Sequence, residues 1–298
     1  MERINISKDI SFSRISLGFW RLLDWKFTPA QLMRFTEECM DLGITTMDHA
    51  DIYGGYTVEE IFGRAVLKKN PALRNKMEIV TKCGIVSAAD TGGVKHYNYS
   101  QAYIISQVEK SLKNLGVDHI ETLLLHRPSP MMNPSHVAHA FDKLYAQGKV
   151  KTFGVSNFLP HQYSALKSHL NVPIVTNQVE LSPLCLDAFE DGNINLALQE
   201  KFSPMVWSPV GGGKIFTGQS PAEVGLRNAL ETIREEIGAN DIGEVVFAWI
   251  LSHPSKMIPI VGSGKIQRVK IPVNAAKYKL SLEQWFTVWT AAKGQDVP

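Results

Sequence analysis

From Met47 to Gly54 the chain reads Met-Asp-His-Ala-Asp-Ile-Tyr-Gly, setting a carboxylate, Asp48, five residues before a phenol, Tyr53, at the end of an apolar run. Two other strand-like runs also end in reactive groups: Glu78-Ile79-Val80-Thr81 at Lys82, and Thr122-Leu123-Leu124-Leu125 at His126. A phenol donates a proton poorly near neutral pH unless its anion is stabilised, and a nearby ammonium supplies that stabilisation. A carboxylate keeps such an ammonium charged, and an imidazole orients a substrate oxygen or assists the proton transfer. Four groups of this kind at successive strand ends are how a parallel barrel gathers an active site on its C-terminal face. The pattern is that of an enzyme.

The elements needed to position these groups are legible as an alternation of strands and helices. Arg3–Ile6 and Ile10–Ser13 predict a small hairpin ahead of the first barrel strand, Arg14–Leu17. Strands then follow at 45–48, 78–82, 122–126, 152–155, 174–179, 204–207 and 258–261. Helices are expected at 28–42, 57–68, 100–115, 134–147 and 160–169, within 187–200, and at 221–237, 241–253, 266–276 and 282–293. Thr28 before Pro29 caps one helix, and Gly116 ends another. Eight strand–helix units with short turns predict a single-domain (β/α)8 barrel over residues 1–298, with an N-terminal hairpin and extra helices near the C-terminus. No G-x-G-x-x-G follows a first strand, which counts against an open dinucleotide-binding sheet. The polar stretch from Ser87 to Tyr99 is expected to form a lid.

Composition narrows the function classes. A net charge of +2 over 298 residues asks for neither nucleic acid nor an anionic membrane surface. Cys39, Cys83 and Cys185 form no CxxC pair, which argues against a disulfide framework or a zinc site and for a reducing cytoplasm. No apolar run approaches the roughly 20 residues of a membrane span, and the N-terminus carries no signal-peptide core.

Barrels often bind phosphate with the loops after strands 7 and 8. Here those loops carry Gly211-Gly212-Gly213-Lys214 and Gly262-Ser263-Gly264-Lys265, followed by Arg268. Glycines let backbone N–H groups approach a phosphate, and the cations add attraction. Phe19 and Trp20 after strand 1, with Trp25 and Tyr56 nearby, are rings able to wall an apolar pocket at a barrel mouth.

In order and spacing, the chain resembles the aldo-keto reductase superfamily over almost its whole length. The residues that carry the likeness are Asp48-x-Ala50-x-x-Tyr53-Gly54, Lys82, His126, Gly154-Val155-Ser156-Asn157, Gln178, Trp207-Ser208-Pro209 and Gly262-Ser263. The ending Gln284-Trp285-Phe286 and Asp296-Val297-Pro298 is similar to the bacterial YdhF-like oxidoreductases within it. The resemblance implies a TIM barrel that reduces aldehyde or ketone carbonyls with NADPH, with Asp48, Tyr53, Lys82 and His126 catalytic and Tyr53 the general acid. It also implies that Ser156, Asn157 and Gln178 hold the carboxamide and that Trp207 stacks on the nicotinamide where most members have Tyr. Ser208, Gly211 and Gly213 would line the pyrophosphate, and Ser263, Lys265 and Arg268 the 2′-phosphate.

Phe19 is assigned to the cofactor side, and Trp20, Trp25 and Tyr56 to the substrate. After Arg268 many members carry a Glu-Asn pair that touches adenine, where this chain has Ile271-Pro272. No metal is expected, and the partner is a small carbonyl compound, with the protein a monomer or weak homo-oligomer. Two alternatives remain open at this stage: a nicotinamide-sensing binding protein and a metal-dependent barrel hydrolase.

Overall fold

The computed structural model describes residues 1–298, apart from the side chains of Asp90 and Thr91. Its first element is an antiparallel hairpin of β1 (Arg3–Asn5) and β2 (Ser11–Ser13). Then come β3 (Ser16–Gly18), β4 (Thr46–Asp48) and β5 (Glu78–Cys83), a two-stranded ribbon of β6 (Ile85–Val86) and β7 (His96–Tyr97), and β8 (Ile120–Leu125). The series ends with β9 (Val150–Ser156), β10 (Ile174–Glu180), β11 (Met205–Trp207) and β12 (Ile258–Val261). Eight of these close a parallel barrel in the order β3-β4-β5-β8-β9-β10-β11-β12, with β12 pairing back onto β3. Buried parallel strands read as near-continuous apolar runs, and β8 and β12 are buried at every position.

The barrel interior is closed from below. Phe12, fully buried on β2, packs in one cluster with Ile4, Ile10, Val80, Leu124, Met205, Ile258 and Ile260. Beside it Arg14 is buried with its guanidinium donating to the carbonyls of Met257 and Leu251 and its charge met by Glu2 at 3.3 Å. The N-terminal hairpin is therefore the plug at the N-terminal end of the barrel, which leaves the opposite face for chemistry.

The expected elements form with small shifts, and three differences have physical causes. The helix foreseen over 57–68 is an α-helix, Val58–Phe62, that loosens into a π turn, Gly63–Leu67. A Cβ at Gly63 would lie 2.2 Å from the Asn114 carbonyl oxygen, so the chain there runs against the end of helix Gln101–Leu115. The segment within 187–200 is broken into Asp187–Glu190 and Asn193–Glu200 by Gly192, whose φ of 86° no ordinary helix accepts. Within the stretch from Ser87 to Tyr99 expected to form a lid, His96 and Tyr97 pair with Val86 and Ile85 as the second strand of the ribbon.

Gly84, between β5 and β6, allows the closest approach at this end of the barrel. Its φ is +115°, and a Cβ there would sit 2.0 Å from the Tyr99 ring. Tyr99 is buried, donates its hydroxyl to the Arg127 carbonyl and accepts the Arg127 N–H. Gly84→Ala should therefore destabilise the fold by about 2–4 kcal/mol, from overpacking and a disfavoured φ together. Urea unfolding checks this; a variant within about 0.5 kcal/mol of wild type, the range of an ordinary surface substitution, would show that Tyr99 yields freely.

Candidate active site

Asp48 ends β4, Lys82 stands one residue before the end of β5, and His126 follows β8, so register brings three strand ends to one rim. The turn after β4 returns Tyr53 over them, with the backbone N–H of Asp51 donating to the Lys82 carbonyl at 3.0 Å. Lys82 is fully buried. Its ammonium has three protons, and three groups accept them: Asp48 at 2.8 and 2.9 Å, the His49 carbonyl at 2.7 Å and the Tyr53 hydroxyl at 3.0 Å. Burial disfavours this charge, but Asp48 and Tyr53 outweigh it and hold the Lys82 pKa above its ordinary value.

Tyr53 responds in the opposite sense to simple charge pairing. Burial pushes its pKa above 10, Lys82 pulls it down, and the net shift is upward. The phenol is thus held in its protonated, donating form, 3.0 Å from the cation that would stabilise its anion. His126 stands edge-on to Tyr53, ring centroids 5.9 Å apart. Its pKa falls well below 6.5 because the site is buried, with the charges of Lys82, Arg127 and Lys95 acting in the same direction. A neutral imidazole presents one donor and one acceptor.

These groups look into a cavity of about 1140 Å³ whose wall includes Asp48, Tyr53 and His126 but not the buried Lys82. The cavity runs from the ring of Trp20 past the four groups to Arg268 and Ile271. Along it a chain of hydrogen bonds is already formed. The Trp207 indole donates to Asn157 Oδ1 at 3.0 Å, Asn157 Nδ2 to Ser156 Oγ at 2.7 Å, and Ser156 Oγ to the Gln178 carbonyl at 3.0 Å. Gln178 Nε2 donates to Asp48 Oδ1 at 2.9 Å. A carboxylate only accepts, so Asp48 fixes which way the Gln178 amide faces. Asn157 and Ser208 hold left-handed φ values of 60° and 53°. Non-glycine residues in that region cluster at functional sites.

Of the residues expected to meet a cofactor, Ser156, Asn157, Gln178, Trp207, Ser208, Gly213, Ser263 and Arg268 line the cavity. Three do not. Phe19 is fully buried and stacked on His49 at 4.4 Å, in the core behind the site. Gly211 faces Leu184, and its neighbour Gly212 takes the wall position. Lys265 is the residue before helix Ile266–Ala275, and only Arg268 of the two cations reaches the cavity. On the substrate side Trp20 lines the mouth. Trp25 packs inward with Phe27 and Phe35 and supports Gly264, and Tyr56 bonds Ile85 and Ser87 to anchor the ribbon.

The wall also contains residues that the sequence did not single out: Arg21, Lys95, Tyr97, Arg127, Phe216, Asp241 and Phe247. Arg127 was the most accessible of these to inspection, since it directly follows His126. The three cysteines are unpaired, and Cys39 and Cys83 are buried. Among the described residues no group of three His, Cys, Asp or Glu side chains could hold a metal ion, and no helix is long and apolar enough to cross a membrane. The glycine backbone at 212, 213 and 262, the flat Trp207 ring and the amides of Asn157 and Gln178 fit a nicotinamide dinucleotide in shape and in donor set.

The sequence model of the Aldo/keto reductase family matches residues 14–292. The chain is 46% identical to the oxidoreductase YdhF of Escherichia coli (strain K12) over the full length of both. It is 43% identical to a 6-dehydroglucose reductase of Agrobacterium fabrum, again over the full length of both. A glycerol dehydrogenase structure from Gluconobacter oxydans superposes with a TM-score of 0.84 at 22% identity, covering 98% of this chain and 95% of that one, a likeness of fold.

The burial of His126 can be tested without any substrate. Its imidazole should stay neutral as the pH falls from 8 to about 5, where an unperturbed histidine would become mostly charged. Ring resonances in NMR titration report this; a midpoint near 6.5 would mean that the site is wetter than its packing indicates.

Proposed function

The chain belongs to the Aldo/keto reductase family, and on that premise we propose that it is an NADPH-dependent reductase of aldehyde or ketone carbonyls with Tyr53 as general acid. The observation that carries this reading is the buried Lys82 ammonium, shared between Asp48 and the Tyr53 hydroxyl, both of which line one continuous cavity. When bound, a reduced nicotinamide would supply hydride to the carbonyl carbon. Tyr53 gives its proton to the carbonyl oxygen as negative charge develops there, and Lys82 stabilises the resulting phenolate. His126, neutral and beside Tyr53, orients the oxygen. Trp207 offers the stacking face, held by Asn157, while Gln178 keeps its side-chain carbonyl free for the carboxamide because its Nε2 is turned to Asp48 and Met205. Solvent protons restore Tyr53 after release.

The name of the Agrobacterium fabrum relative, a 6-dehydroglucose reductase, supports a small-molecule carbonyl substrate. Unpaired thiols at Cys39, Cys83 and Cys185 suit a reducing cytoplasm. A purified protein that neither binds NADPH nor oxidises it with a broad panel of aldehydes, ketones and quinones would overturn the proposal.

Tyr53→Phe should lower the rate of reduction by about 10²–10⁴-fold, the usual contribution of a positioned general acid, with NADPH affinity nearly intact. Stopped-flow reduction and NADPH fluorescence measure the two. Retention of more than roughly a tenth of the wild-type rate would transfer the acid role to His126.

Preference for the 2′-phosphate rests on Arg268 more than on Lys265, because Arg268 alone is on the wall. The acid at that end, Asp241, is committed to capping its own helix, with Oδ1 accepting the Gly243 N–H at 2.6 Å. Arg268→Ala should weaken NADPH binding on the order of 10-fold to 100-fold and leave NADH little changed, whereas Lys265→Ala should do less. Equal losses for both cofactors by titration calorimetry would make Arg268 a support of the loop.

A further inference from the structure

The cavity wall carries four cations, Arg21, Lys95, Arg127 and Arg268, against two acids, Asp48 and Asp241. Asp48 is saturated by Lys82, and Asp241 caps a helix at the far end. Resting on the reductase reading, a dinucleotide accounts for two of the cations. Arg268 meets the 2′-phosphate end, and the Arg21 guanidinium lies 3.9 Å from where a Cβ on Gly212 would be, beside the pyrophosphate loop. Nothing in such a cofactor accounts for Lys95 and Arg127.

Both stand at the opposite end, against Tyr53 and His126. Arg127 directly follows His126, and its guanidinium lies over the Trp207 ring at 5.7 Å. Lys95 precedes β7 and lines the same cavity, with its charge acting on His126. Neither side chain has an ion-pair partner among the described residues. Glu180, at the end of β10, feels the charge of Arg127 but lies beyond ion-pair distance. Two cations pointing at a reaction centre repel each other and Lys82, and such an arrangement persists where a ligand neutralises it. The backbone of Arg127 is fixed at both N–H and carbonyl by Tyr99, so the point from which this side chain springs is held in place.

We infer that Lys95 and Arg127 form an anion subsite, and that the substrate is a carbonyl compound bearing a carboxylate or phosphate a few bonds from the reacting carbon. Arg127 offers a planar fork, suited to two oxygens of one anionic group, and Lys95 a compact point charge on the same wall. Trp20 and Tyr97 close the remaining mouth with rings.

Matched probes test this: 4-oxobutanoate against butanal for a carboxylate, and glyceraldehyde 3-phosphate against glyceraldehyde for a phosphate. The charged member of at least one pair should show kcat/KM higher on the order of 10-fold to 100-fold, mainly through KM, as charge-assisted hydrogen bonds allow. Whichever pair shows the larger ratio identifies the anion. Lys95→Gln and Arg127→Gln should each shrink that ratio, the double variant should abolish it, and Lys95→Arg should retain it. Quenching of tryptophan fluorescence by the charged probe, weaker with the neutral one and lost in the double variant, reads the same contact through Trp207 without turnover. Neutral probes reduced as well as their charged counterparts, glyceraldehyde included, would overturn the anion subsite and leave the reductase reading standing.

Discussion

A single buried ammonium organises the rim at the C-terminal end of the barrel. Removing the charge of Lys82 from water costs several kcal/mol, and the loss is offset only because every proton on it meets an acceptor. Those acceptors dictate the local fold. The His49 carbonyl must turn inward, the Asp51 amide must pair with the Lys82 carbonyl, and the chain must then curl to bring the Tyr53 hydroxyl within 3.0 Å. His49, fully buried beside it, is neutral: burial and the field of Lys82 depress its pKa to about 3. Its ring is used instead as an apolar plate against Phe19 and Phe62. The carboxylate on the other flank is shared with Gln178, so the group that keeps the ammonium charged also sets the face that Gln178 shows to the cavity.

Much of this was legible in the chain because the signals are local. Strands buried on both faces announce themselves as apolar runs, and a polar residue closing such a run is placed at a rim by the barrel's own geometry. Asp48, Lys82 and His126 were found that way, as were the loops rich in glycine. What could not be read is where a loop side chain turns once the strand ends. Trp20 and Trp25 are five residues apart and equally aromatic, yet one stands 61% exposed at the mouth while the other packs against Phe35. Phe19 alternates with Trp20 and so points the other way, into the core. Lys265 and Arg268 differ only by their positions around the start of one helix.

Long-range pairings were also beyond reach. Gln178 and Asp48 meet across 130 positions of sequence, and no periodicity links them. The near-neutral net charge of the chain likewise hid a cavity wall in which cations outnumber acids. Lys82 does pull the Tyr53 pKa down, but burial has the larger influence on the phenol, whereas on the ammonium Asp48 and Tyr53 outweigh it.

The pillar formed by Tyr99 has a consequence for how such an enzyme could diversify. It clasps residue 127 through the peptide groups on either side of the Cα, not through the side chain. The position is therefore a socket: its location relative to the rim is set by main-chain geometry and by a glycine at 84, whatever side chain is plugged into it. Exchange of that side chain leaves the clasp and the neighbouring imidazole where they are. A change of side chain at 127 can thus alter the charge of the cavity wall while the main chain beside His126 keeps its place.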